Sequence, residues 1–412
     1  MRSHVLAALV NVKAMRFSLV LVLALLVCAP LAQAQSKSPA LTPKQIRVEL
    51  GKSSSDELAQ RILQSFGKGG LEKGKTKLEE TTMAWAVLSK APAKVVDTEG
   101  KLIGALKKVG SGELQVLALE LPNFKELSWR LEAGGQKLNQ GTTKIEHFDY
   151  MPDSLPQPGV PVGKLETFEW TSQIFSNTIR TVTVYIPAQY DGKKPACVMV
   201  WQDGSRHVDP KGQLRASVVF DNLIHKKEMP VTVGIFIDPG RKPTQTPKDK
   251  AANRGFEYDS LGDAYARLLL EEILPEVTKR YSLNLRTDPA GRAIGGGSSG
   301  GICSFTVAWE RPNEFGKVLS WVGSFVDLRG GHVYPYLIRK TEKKPIRVYL
   351  LDGTNDLDNA FGNWPLANKM MASSLQYMGY DYRIDWTECF HGSKGMSAHL
   401  PDALRWLWRD VR

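Results

Sequence analysis

Cysteine is scarce in this 412-residue chain, four in all, and no two of them form a C-x-x-C pair. That excludes a disulfide-built framework and zinc-type ligand spacing. Cys28 lies in an N-terminal apolar run, and the remaining Cys197, Cys303 and Cys389 are an odd number at wide intervals. Cys197 and Cys303 sit among apolar residues and read as core. Acid is also in short supply: 43 Asp and Glu against 54 Lys and Arg give a net charge of +11. The lysines are scattered rather than interleaved with aromatics in a stripe, so the excess is a solvated surface and no nucleic-acid partner is expected. No internal repeat is visible.

The long apolar run at residues 17–31, FSLVLVLALLVCAPL, follows Arg2, Lys13 and Arg16 and leads into Ala32-Gln33-Ala34. Charged, apolar and small-x-small regions in that order are a secretory signal. The run falls short of the roughly 20 residues that span a bilayer, and Pro30 interrupts it. Cleavage is expected after Ala34, with a periplasmic or secreted product and no stable membrane insertion afterwards. Val27 stands where a lipidation signal wants a small residue. Met15 is a second candidate start, since the segment from it carries all three regions. Loss of residues 1–34 removes Arg2, Lys13 and Arg16 and no acid, so the charge falls from +11 to +8.

Residues 35–80, rich in Lys, Ser and Gly, read as a linker or spacer holding one short amphipathic helix near residues 56–66, with Leu58, Ile62 and Leu63 on one face. Residues 81–150 change rhythm. Alternating segments at 83–88 (MAWAVL), 114–121 (LQVLALEL) and 127–133 (LSWRLEA), set apart by Gly, Lys and Pro, predict a small β-sandwich-like domain. Four prolines in residues 151–163 mark an extended linker. After it, strands at 181–187, 196–203, 231–238, 292–297, 318–324, 346–353 and 382–388 alternate with helical segments at 263–281, 367–378 and 401–411. That alternation predicts an α/β domain over 164–412, a mostly parallel sheet with helices on both faces. The domain is expected to fold without residues 35–150.

Residues 292–302, RAIGGGSSGGI, are an apolar strand running into a glycine-rich turn. G-x-S-x-G fits twice, around Ser298 and, one residue on, around Ser299. A nucleophile elbow needs small neighbours because the chain doubles back. A phosphate loop would need a Lys after the glycines, and none follows. A flexible linker would not be flanked by a strand and by ICSFTVAW.

Ile294-Gly-Gly-Gly-Ser298-Ser-Gly-Gly301 resembles the elbow of the enterochelin esterase and esterase-D-like branch of the α/β-hydrolases, written I-x-G-x-S-x-G-G. The likeness extends over about residues 145–412, through VWQDG (200–204), NRGFEYD (253–259), LDGTND (351–356), GNWPLANK (362–369) and LPDALRWLWRD (400–410). It implies an α/β-hydrolase fold and a serine carboxylic-ester hydrolase, with Ser298 as nucleophile. The chain order nucleophile, acid, base leads to the same triad. Asp356, in the G-T-N-D motif, is the acid, while Asp352 and Asp358 read as turn residues. His391 and His399 are the histidines that follow it. His391 comes directly after the strand at 382–388 and is the base; Pro401 suits the first turn of a helix, which puts His399 at its entrance. Relatives often carry a second histidine four positions after the base, where this chain has Gly395, and Cys389 and Phe390 replace glycines.

The roles imply an acyl-enzyme mechanism with backbone oxyanion donors at Ser299 and, by resemblance, Ser205, whose turn Gly204 permits. Arg254, Glu257 and Tyr258 shape the pocket, with Arg254, His332 and Trp364 as candidate substrate contacts. No metal or organic cofactor is implied. The partner is a small-molecule or saccharide ester. Acetyl or feruloyl esters of saccharides lead, with a siderophore trilactone or acyl transfer to a sugar as alternatives. An exported protein fits poorly with iron release inside a cell. A non-enzymatic binding module would be expected to lack one of Ser298, Asp356 and His391, and all three are present.

Overall fold

Strand β2 (Thr82–Leu88) shows how the first part of the chain folds: it is buried on both faces. Met83, Trp85 and Val87 point one way and Ala84 and Ala86 the other, as a period of two requires. The computed structural model describes residues 39–67, 69–246 and 253–411; the expected signal peptide and its cleavage point lie outside them. In chain order come α1 (Pro43–Leu50), α2 (Asp56–Phe66), β1 (Lys75–Glu79), β2, β3 (Ala93–Val96), β4 (Leu102–Ala105), β5 (Lys107–Lys108), β6 (Leu114–Glu120), β7 (Lys125–Ala133) and β8 (Gln136–Ile145). The strands make two four-stranded antiparallel sheets, β1-β2-β6-β5 and β4-β3-β7-β8. Met83, Trp85 and Val87 meet Val95, Trp129 and Leu131 between them.

Residues 35–80, expected as a spacer, carry instead the third layer of this body. Ile46, Leu58, Ile62 and Phe66 of the two helices cover Ala84, Ala86 and Val116 on the outer face of the first sheet. That face would otherwise leave apolar surface in water. Local signals agree: Thr42 and Gln45 form a capping box at α1, and Ser55 caps α2.

The second part continues with β9 (Lys164–Ser172), β10 (Thr178–Ile186), β11 (Cys197–Gln202), α3 (Gly204–Val208), α4 (Ala216–His225), β12 (Thr232–Ile237), α5 (Arg254–Asp259), α6 (Ala264–Arg267), α7 (Leu274–Arg280), β13 (Arg292–Gly297), α8 (Ser299–Glu310), β14 (Lys317–Trp321), α9 (Tyr334–Lys340), β15 (Arg347–Asn355), the short hairpin strands β16 (Asp358–Asn359) and β17 (Gly362–Asn363), α10 (Trp364–Tyr377), β18 (Asp381–Phe390) and α11 (Lys394–Trp408). Eight strands form one sheet in the order β18-β15-β14-β13-β11-β12-β10-β9, parallel from β12 to β18, with β9 and β10 antiparallel at one edge. Val198 and Val200 enter the core on one face, Cys197, Met199 and Trp201 that on the other. The chain has the α/β-hydrolase fold, preceded by a β-rich body.

Three expectations shift. The helix read over 263–281 is interrupted by a widened turn at Leu268–Ile273, just ahead of Pro275, which has no N–H for the preceding turn. The last helix begins at Lys394, not near Pro401, which lies inside it. The proline-rich segment 151–163 does not hang free. Asn222 donates to the carbonyls of Asp153 and Leu155 (2.9 Å each), and the buried Asp153 carboxylate pairs with Lys226 and Arg405. Leu41–Arg412 is one compact unit.

Candidate active site

At the end of β13 the chain turns through Ser298, whose φ of 58° and ψ of −124° are unusual for a residue with a side chain, and α8 begins at the next residue. Such strain persists only where the surroundings impose it. Here the neighbours leave no room for side chains: a Cβ on Gly296 would lie 2.6 Å from the Gly300 carbonyl carbon, and one on Gly297 would lie 2.4 Å from Nε1 of Trp321. The two registers of the glycine motif differ in outcome. Ser298 presents its hydroxyl at the turn, whereas the Ser299 hydroxyl bonds to Asp259, a carboxyl that burial pushes up to about 6.

Ser298 Oγ lies 2.8 Å from Nε2 of His391, and His391 Nδ1 lies 2.6 Å from Oδ1 of Asp356. With the hydroxyl donating to Nε2, the ring N–H at Nδ1 donates to the carboxylate. Each side chain stands just past a strand end: Ser298 after β13, Asp356 after β15, His391 directly after β18. Asp356 Oδ1 also accepts the N–H of Leu357 (2.6 Å). The carboxylate is shut off from solvent, while the imidazole keeps 21 % of its exposure.

Trp364 sets its ring edge-on to His391, centroids 5.7 Å apart, and its indole N–H donates to Ser324 Oγ (3.2 Å). Ser324 Oγ is in turn 3.3 Å from Ser298 Oγ, and its backbone N–H donates to the Ser298 carbonyl (3.1 Å). Sequence reasoning missed Ser324. The signal was available, since VGS follows the strand that neighbours the elbow strand.

The base is also held from the first part of the chain. Glu146, buried just after β8, accepts the N–H of Phe390 (2.8 Å), the residue before His391. Asn355 donates to the carbonyls of Glu388 (2.7 Å) and Phe124 (3.3 Å). Burial pushes the Glu146 carboxyl above the ordinary carboxylate range. Neither Glu146 nor Phe124 stands in a motif that suggests such a role.

Ser205 does not serve as expected. Its backbone N–H and its hydroxyl both donate to Oδ1 of Asp238 (2.9 and 3.0 Å), so the anticipated oxyanion donor is already engaged. Asp238 follows the adjacent strand β12 and needs donors where it is partly buried. Arg254 grips Asp203 through Nε and Nη2 (2.8 and 2.7 Å) and lies over the Tyr258 ring. It thereby fixes the turn after β11, where Asp203 has φ of 52°, and is not free for substrate. Glu257 is buried against Arg180 (2.8 Å). His332 is half exposed on the turn Gly331–Val333, partnered by Asp327 (3.2 Å), and is not brought to the triad side chains. Cys389 is a buried thiol, pushed up to about 12 by burial, and is no nucleophile.

Residues 172–329 match the family model described as putative esterase. No curated protein matches the chain. Among solved structures, the enterobactin esterase from Shigella flexneri in the presence of enterobactin is 14% identical with a TM-score of 0.57, over 88% of this chain and 100% of that one. The ferric enterobactin esterase from Salmonella typhimurium is 14% identical with a TM-score of 0.55, over 82% and 97%. The ferulic acid esterase from Anaeromyces mucronatus in complex with ferulic acid is 19% identical with a TM-score of 0.51, over 65% and 100%.

Proposed function

We propose, for this carboxylic-ester hydrolase of the esterase family, that Ser298, His391 and Asp356 carry the reaction and that the substrate is an acetyl or feruloyl ester of a saccharide. The observation that carries the triad is the unbroken chain of two short hydrogen bonds, 2.8 and 2.6 Å, ending on a strained elbow serine.

In this mechanism His391 Nε2 takes the proton of Ser298 as its Oγ attacks the ester carbonyl. Asp356 holds the ring in the tautomer with Nδ1 protonated and stabilises the imidazolium. The same nitrogen then delivers the proton to the leaving alkoxide. Water, activated by His391, releases the acyl group from Ser298. The Ser299 N–H, first of α8, is the donor for the developing oxyanion; one such donor contributes about 2.7–4 kcal/mol. The helix N-terminus adds a favourable field there.

An aromatic acyl group is favoured by the exposed Phe256 (50%) and Phe361 (52%) on segments that follow strand ends on the triad side. The ferulic acid bound in the Anaeromyces mucronatus esterase supports the same class.

A fluorophosphonate probe followed by peptide mapping tests the nucleophile. Label is expected on Ser298. Ser298→Ala should abolish ester hydrolysis, and Ser299→Ala, which keeps its backbone N–H, should leave most of it. The reverse result would move the nucleophile by one residue. A panel of acetylated saccharide, feruloylated saccharide and catecholate trilactone, assayed on one preparation, tests the substrate class. A trilactone hydrolysed far faster than the saccharide esters would replace it.

A further inference from the structure

Asp352 lies in β15, four residues before the triad acid, and has no exposed surface. Its Oδ1 accepts the N–H of Gly353 (2.8 Å). Its Oδ2, the Oδ2 of Asp356 and the Oδ1 of Asn368 are all buried, and none meets an N–H or a hydroxyl. The two carboxyls belong together, because the Asp352 and Asp356 side chains are in hydrogen-bond contact, which pushes Asp352 up, while the Asn368 amide beside Asp352 acts in the other direction. Turning the Asn368 amide over does not help: its Nδ2 already donates to the carbonyls of Gly323 (3.0 Å) and Trp364 (3.1 Å), and an oxygen there would face two acceptors. No Lys or Arg forms an ion pair with either carboxyl among the described residues; Asp356 pairs with His391 alone. Two buried carboxyl oxygens in contact, neither meeting an N–H or a hydroxyl, require a proton between them.

The proton's place follows from the donors on hand. Asp356 accepts from two, the Leu357 N–H and the His391 ring N–H. Asp352 has one backbone N–H and is sealed in the sheet. Burial, and then the neighbouring Asp356, push its carboxyl well above the ordinary range. The other titratable groups around the pair do not oppose this. Cys389 on β18, against which Gly353 packs, is kept a neutral thiol by burial. Glu146 adds negative charge near Asp356, and its nearest cation is Lys394 at 4.0 Å.

We propose that Asp352 is kept as the neutral acid and donates its carboxyl proton to Oδ2 of Asp356, so that the triad carboxylate is held between the His391 ring on one oxygen and a carboxylic acid on the other. Asp352 is then a positioning residue: it sets the plane of Asp356 and leaves a single negative charge facing the imidazolium. The inference rests on the triad proposed above.

Infrared difference spectroscopy and kinetics test it together. The wild type at neutral pH is expected to show the C=O stretch of a buried protonated carboxyl, shifted in D2O and absent in Asp352→Asn. Asp352→Asn, whose amide retains a donor, should keep kcat within about threefold, while Asp352→Leu should lower kcat about 10- to 100-fold with little change in KM. Unfolding supplies a third reading. A carboxyl that binds its proton more tightly when folded adds stability that is lost as pH rises through its folded value, so the wild type should lose more stability on the alkaline side than Asp352→Asn. Absence of the protonated band in the wild type, or an Asn variant as impaired as the Leu variant, would overturn the proposal. An active Asp356→Asn enzyme would instead remove the triad reading while the band persisted.

Discussion

His391 and His399 are eight residues apart, and the structure separates them chemically. His391 Nε2 is 2.8 Å from Ser298 Oγ, whereas His399 sits on α11, its Nδ1 2.8 Å from the Gly395 carbonyl and its ring edge-on to Phe148. His391→Ala should therefore lower kcat by about a thousandfold or more, and His399→Ala by less than about tenfold. Steady-state kinetics on both variants decide it; an inert His399→Ala beside an active His391→Ala would reassign the base. The position of relatives' second histidine, here Gly395, has a packing reason in this chain. A Cβ at 395 would stand 3.0 Å from Cys389 Cβ, so the bulk of Cys389 and the absence of a side chain at 395 go together. The base was legible because it directly follows the last strand read in the sequence, behind the nucleophile and the acid. Glu146 was not, since an isolated Glu in a polar neighbourhood has no pattern of its own.

At the scale of the element, the elbow depends on the strand next to it. Trp321, at the end of β14, packs against Gly297 and is wedged beside His207 and Trp201, centroids 5.1 and 6.2 Å away. It has no room to yield. Gly297→Ala should cost about 1–3 kcal/mol by overpacking, together with most of the activity, since the displaced turn carries Ser298. Gly112→Ala, where an added Cβ meets nothing within 4 Å, should be neutral. Thermal unfolding and turnover of the two variants check the contrast, and a Gly297→Ala protein with unchanged Tm and kcat would show the contact to be soft. The expected strands lie close to the observed ones because period-two burial is a local property. Helix ends fared less well: the start of α11 at Lys394 places Pro401 in its interior, where packing of Leu400, Leu404 and Leu407 on the sheet outweighs the lost hydrogen bond.

For the whole molecule, the contacts crossing from the first part of the chain bear on both stability and turnover. A fragment starting at residue 164 would discard the Asp153 and Leu155 carbonyls that hold Asn222 and the carboxylate that holds Lys226 and Arg405. It is expected to be insoluble, where 151–412 is soluble. The longer fragment still lacks Glu146, so its kcat should fall about 10-fold, as should that of full-length Glu146→Ala, while Glu146→Gln retains an acceptor for Phe390 and most of the activity. Solubility and steady-state kinetics of these four proteins are the check. A soluble, fully active 164–412 would mean that the crossing contacts are ornamental.

Local rules were enough for the alternation of strands and helices, the glycine turn with its serine, and the order of acid and base behind it. Each depends on residues near one another in the chain: a pleat of period two, a turn too tight for side chains, a loop that begins where a strand ends. Tertiary structure alone turned the expected spacer into a layer of two packed helices, engaged the Ser205 N–H with Asp238, and brought Glu146 to the loop that carries His391. Those outcomes rest on which groups share a buried space, across 33 residues for Ser205 and Asp238 and 244 for Glu146 and Phe390. Burial and hydrogen-bond satisfaction are properties of that space, and no window of sequence contains them.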